Sequence, residues 1–143
     1  MWHYETTVVW KTEKEGRLHA GGNPEICVAT PPDFGGPHGN WSPEQLLISA
    51  VAGCLMTSAL YYLERAGVNL RCYIGNAIGT MDKTPEGLAF TRVRVEISIT
   101  VADDSHVEKA RKAAARAEKS CPISKALQCL VEVHAVVRPF REE

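Results

Sequence analysis

Residues 42–67, SPEQLLISAVAGCLMTSALYYLERAG, constrain this chain more than any other stretch. Ser42 is a good N-cap, Pro43 suits the first helical position because no amide donor is needed there, and Gln45 completes an S-x-x-Q capping box. At the far end Gly67 can take the left-handed turn that closes a helix, and Arg65 complements the negative end of the dipole. Between the caps nearly every residue up to Tyr62 is apolar or small, so the predicted helix is hydrophobic almost all round. Such a helix belongs in the centre of something. It is roughly 36 Å long at about 1.5 Å per residue, more than a chain of this size usually encloses, so part of it is expected to pack against a second chain. Glu44, Gln45 and several Ser and Thr interrupt the run, and its apolar part barely reaches the ~20 residues of a bilayer span, so no membrane is expected.

The remainder reads as one α+β domain over residues 1–143. Residues 4–12 are rich in β-branched and aromatic types and predict a strand, with a turn over 13–16, a short return strand from Arg17 and a third strand over 25–30. Residues 31–41, PPDFGGPHGNW, are crowded with Pro and Gly and carry Phe34 and Trp41. That punctuation makes a loop stiff in places and close-approaching in others, suited to covering a substrate or simply to leading into the helix.

Residues 70–81 predict a further strand, DKTPEG a turn, and 90–101 the clearest alternation in the chain. There Val93, Val95, Ile97, Ile99 and Val101 alternate with Arg92, Arg94, Glu96, Ser98 and Thr100, giving one buried face and one wet face. Asp103 or Asp104 can cap a second helix with an alanine side of Ala110, Ala113, Ala114 and Ala117. Pro122 interrupts it, a short helix follows, and LVEVHAVVR is a last strand.

A net charge of -1 without a Lys/Arg run gives no electrostatic reason to expect nucleic acid or an anionic membrane surface. Met1-Trp2-His3-Tyr4 leads into strand-like sequence without a signal-peptide pattern, so a cytoplasmic location is expected. His3, His19, His38, His106 and His134 show no metal-ligand spacing, and no phosphate loop is present, so neither metal nor cofactor is expected.

Five cysteines without framework spacing do not make a secreted disulfide scaffold. Cys27, Cys72 and Cys129 sit in apolar surroundings and are expected in the core. Cys54 lies mid-helix with Thr57 and Ser58 one turn on; burial there raises a thiol, so reactivity requires a cation or donors from elsewhere. Cys121 has the better local case. Cys-Pro at a helix start places the sulfur near unpaired amides, and Ser124 adds a hydroxyl, so local sequence ranks Cys121 as the more acidic thiol. One thiol in a helix and another at a helix mouth suggest disulfide cycling through a sulfenic acid.

SPEQLLISAVAGCLMTSAL and CPISKAL, whose cysteines are 67 positions apart, resemble the osmotically inducible protein C and organic hydroperoxide resistance (OsmC/Ohr) superfamily, as does the Gly-rich approach ATPPDFGGPHGNWSPEQL. The resemblance implies an OsmC-like fold, with antiparallel sheets around a long central helix, and an intertwined homodimer with active sites at the interface. It implies an antioxidant stress-response peroxidase that reduces organic hydroperoxides and is restored by an external dithiol. Carried onto this sequence, Cys54 is the attacking thiol, which reverses the local ranking, Cys121 the resolving thiol, and Glu44 the carboxylate that holds a guanidinium. The arginine departs from the pattern. Arg17, or Lys14 in its stead, aligns with one branch, whereas the other branch's position falls in Pro31-Pro32-Asp33-Phe34, which has no Arg. Lysine lacks the planar two-donor fork. Glu44 lies roughly 15 Å from Cys54 along a straight helix, so a partner subunit must close that gap, or Glu44 serves only the helix dipole. The alternative function is a non-catalytic module on the same fold that binds a small apolar ligand or senses redox state; a purely structural dimer predicts inert cysteines.

Overall fold

The computed structural model describes residues 1–142, and the chain divides into two compact units, Met1–Leu47 and the residues from Ile48 on. In the first unit the β-rich N-terminus forms an antiparallel sheet of β1 (Thr7–Thr12), β2 (Glu15–His19) and β3 (Ile26–Ala29), in that order. The expected turn over 13–16 is shorter, because Thr12 pairs with Glu15 and leaves Glu13, at φ 44°, and Lys14 to reverse the chain. The Pro/Gly loop that follows contains a 3-10 turn, Pro32–Phe34, and a close backbone approach at Gly36. A Cβ on Gly36 would run into the carbonyl oxygen of Thr30, so only glycine fits.

The long helix α1 (Pro43–Arg65) carries the predicted caps. Ser42 N–H donates to Gln45 Oε1 at 3.0 Å and Gln45 N–H to Ser42 Oγ at 3.1 Å, a complete capping box. Gly67, at φ 68°, closes the other end as a Schellman motif, its N–H bonding Glu64 O and the Val68 N–H bonding Leu63 O, both at 3.0 Å. Val51, Leu55, Ala59 and Leu63 recur every fourth residue and are buried as one stripe. Met56, Leu60 and Tyr61 on other faces are exposed. The helix is long and apolar enough to cross a membrane by composition, yet that stripe is part of a protein core.

The second unit contains β4 (Leu70–Thr84) and β5 (Gly87–Val101), a long antiparallel hairpin, then α2 (Val107–Ser120), the short α3 (Pro122–Ala126) and β6 (Leu130–Pro139). The odd-numbered β5 residues Val93 to Val101 are all buried, as alternation predicted, and the alanine side of α2 faces the same core. Each fully buried Val, Ile or Leu contributes about 1.5–3 kcal/mol. Asp103 caps the 3-10 turn Asp104–His106 that leads into α2, accepting from the Ser105 N–H at 2.9 Å.

Sheet order is β4-β5-β6, and β6 runs parallel to β5, which corrects the expectation of purely antiparallel sheets. The physical reason is the connection. Two helices between β5 and β6 supply a crossover long enough for parallel pairing, and alternation along a strand carries no information about its direction. Cys72 corrects a second expectation. It lies on the exposed face of β4 with Ile74 and Ile78, because both faces of that strand carry apolar residues and only the register chooses between them.

Candidate functional site: a paired thiol centre

Helix geometry places Cys54 on the flank of the buried stripe, one turn from Val51 and Ser58, so the thiol is half-buried. Ser58 Oγ lies 3.9 Å from its sulfur. Thr57, one turn on, donates its hydroxyl to the Cys54 carbonyl at 3.2 Å. Cys121 stands at the joint between α2 and α3, where extended backbone (φ -63°, ψ 109°) ends one helix and caps the next, with Pro122 at the first position of α3. It is fully buried. Its sulfur accepts from Ser124 Oγ–H at 3.2 Å and from Ser124 N–H at 3.4 Å.

These two thiols, remote in sequence, pack into the same core and perturb each other's ionisation. Burial pushes the Cys54 thiol up, and the neighbouring Cys121 pushes it further, against weaker help from the Ile123 amide and Ser58. Burial also opposes ionisation of Cys121. There the Ser124 hydroxyl and amide, the Cys54 thiol and the Ile123 amide outweigh it and bring the thiol below its ordinary value. These two directions run the same way as the ranking from local sequence, and no cation is among the groups that shift Cys54. Chemically the pair can be oxidised from two thiols to a disulfide.

Arg17 and Glu44 belong to the Met1–Leu47 unit. Arg17, on β2, is cross-strand partner of Val9 and Cys27. Its Nε lies 3.5 Å from Glu25 Oε1, while its Nη1 is buried without a hydrogen-bond partner. Glu44, in the first turn of α1, has a buried Oε2 in the same condition. Tyr73 Oη is the third such atom among the described residues. Lys14, the alternative cation, donates its Nζ to Gly35 O at 3.1 Å. Sequence reasoning missed Glu25 as the partner of Arg17 and Asn40 as the acceptor, at 2.8 Å, of the Cys27 thiol. Only strand register and the path of the Gly-rich loop bring those pairs together.

The first unit also holds a cleft of about 500 Å³, lined by Val8, Trp10, Val28 and Pro43 with Lys14 at its side.

The model of the family of OsmC-like proteins matches residues 36–135. This chain belongs to the OsmC-like family. The Bacillus subtilis uncharacterized protein YmaD is 26% identical to this OsmC-like chain over 115 residues, 78% of the chain and 77% of YmaD. An OsmC-like protein of unknown function from Vibrio cholerae superposes with a TM-score of 0.86 at 18% identity, covering 95% of this chain and 100% of its own. An organic hydroperoxide resistance protein OsmC from Legionella pneumophila superposes with a TM-score of 0.74 at 22% identity, covering 96% and 98%. These superpositions establish the OsmC-like α+β fold.

Proposed function

We propose that this OsmC-like chain is a thiol-dependent peroxidase that reduces organic hydroperoxides. The single observation that carries the reading is that Cys54 and Cys121, remote in sequence, are neighbours in one core. Family membership and structural neighbours named for organic hydroperoxide resistance support it.

Cys54, the more accessible thiol, attacks as the thiolate on the terminal oxygen of the hydroperoxide; the O–O bond breaks, Cys54 becomes a sulfenic acid and an alcohol leaves. Cys121 then attacks the Cys54 sulfur, forming the S–S bond and expelling the oxygen as water, and an external dithiol reduces the disulfide. Arg17 is the cation that acidifies Cys54 and polarises the O–O bond; its unpartnered Nη1 is a donor still to be used. Glu44 is the carboxylate that holds this guanidinium, and Lys14, engaged with a backbone carbonyl, is the weaker choice. The acting species is a cytoplasmic homodimer in which the whole chain serves as one OsmC-like domain. The exposed apolar residues Val8, Trp10, Met56 and Leu60 support association with a second copy.

A second reading, a non-catalytic module that binds an apolar ligand, is supported by the cleft between Val8, Trp10 and Val28. Counting free thiols after adding cumene hydroperoxide to the reduced chain separates the two. Loss of two thiols per hydroperoxide, abolished by Cys54→Ser, is expected for the peroxidase; unchanged thiols would leave the binding module.

A further inference from the structure

Cys121 is held in an unusual way for a sulfur with no exposed surface. From its own short helix it faces both donors of Ser124, the hydroxyl at 3.2 Å and the amide at 3.4 Å. Cys54, on α1, packs against the same core and is the titratable side chain that perturbs it. The hydrocarbon of the core surrounds the rest. A thiol needs only one donor to be satisfied, whereas two donors converging on one buried sulfur suit a thiolate.

Resting on the peroxidase reading, we infer that Ser124 is a positioning residue: with its amide it holds the Cys121 sulfur as the acceptor of the Cys54 proton, so that Cys121 readies both attack and resolution. The steps balance. The Cys54 proton passes to the neighbouring Cys121 thiolate, leaving Cys54 as the thiolate. Its lone pair forms the S–O bond to the hydroperoxide, the O–O bond breaks, and the departing alkoxide takes the proton from Cys121. Cys121, a thiolate again, attacks the sulfenic sulfur; the S–S bond forms, and the hydroxide that leaves takes a proton from solvent to become water. The two sulfurs give up two electrons and the hydroperoxide accepts them.

The test needs two readouts. Thiolate ultraviolet absorbance is followed against pH in the full chain carrying Cys54→Ser, with the Cys54→Ser/Cys121→Ser chain subtracted, so that only Cys121 is read. Adding Ser124→Ala is expected to move this titration upward by about one unit, a tenfold loss of thiolate, the size of one hydrogen bond to a charged group. Ser124→Thr, which keeps the hydroxyl, is expected to restore it. In the chain with both thiols, disulfide closure is timed after one equivalent of cumene hydroperoxide. A tenfold smaller thiolate fraction is partly offset by greater nucleophilicity of the more basic sulfur, so Ser124→Ala slows closure by about threefold below both titrations and not at all above them.

A Cys121 titration indifferent to Ser124→Ala overturns the inference, as does closure unchanged at every pH. A titration that moves as expected in a chain whose thiols ignore the hydroperoxide overturns the peroxidase reading and supports the hold of Ser124 on Cys121, because the first readout uses no hydroperoxide.

Discussion

The two units of this chain solve the same problem to different degrees. From Ile48 on, the apolar stripe of α1, the inner face of β5 and the alanines of α2 bury one another, and the sulfur of Cys121 is met by both donors of Ser124 on α3. Over Met1–Leu47 the balance is different. Val8 and Trp10 are 64% and 72% exposed, Ala29 is the apolar side chain that is fully buried, and Arg17 and Glu44 each keep a buried polar atom without a partner. An unpaired buried polar atom costs about 1–3 kcal/mol, so a fold retains one where something else uses it. The contrast teaches that stability and the thiol pair reside in the second unit, while the first holds charge and apolar surface in reserve.

The largest effect expected from a change in the second unit is on stability. Leu55→Ala removes a side chain with 1% exposure and should cost about 3 kcal/mol in a urea titration, whereas Trp10→Ala in the first unit should move the folding of a single chain by less than ~0.5 kcal/mol. A large loss from Trp10→Ala would break the comparison.

Arg17→Ala should do the reverse. Hydroperoxide turnover should fall by about 10²-fold, Arg17→Lys should recover little of it, and the urea midpoint should hold. Turnover equal to that of the unmodified chain would remove Arg17 from the site. Ser42→Ala opens the capping box and should lower stability by about 1 kcal/mol, read by the same urea titration.

Tyr73→Phe removes a buried hydroxyl that has no partner and should raise stability at neutral pH by about 1 kcal/mol. A second effect is confined to alkali. Burial pushes the Tyr73 phenol up to about 12, against about 10 for an exposed tyrosine. The folded state therefore binds the proton more tightly; its stabilisation is whole below pH about 10 and is lost as pH rises through about 12. Tyr73→Phe should abolish that part of the alkaline loss in unfolding curves.

Much of the fold was legible because its signals are local. Capping residues act within one turn, so Ser42, Gln45 and Gly67 marked both ends of α1 before any tertiary contact was known. Period-two alternation placed every inward residue of β5. The direction of β6, the exposed side of Cys72 and the pairing of Arg17 with Glu25 were not legible, since each depends on which strand lies alongside and in what register. Within the candidate site, Cys121 and Ser124 are three residues apart, and their contact could be read from a helix start. Cys54 offered no such signal; its neighbour across space is absent from its own helix.

By itself the sequence determined where helices begin and end and which faces are oily, because capping and periodicity work over a few residues. The tertiary structure alone decided that Cys54 and Cys121 share one core, that β6 lies parallel to β5, and that Arg17 and Glu44 keep unpaired buried atoms. Those outcomes come from packing between segments distant along the chain, where backbone entropy is overcome only by many contacts formed together, and no short window of residues contains them.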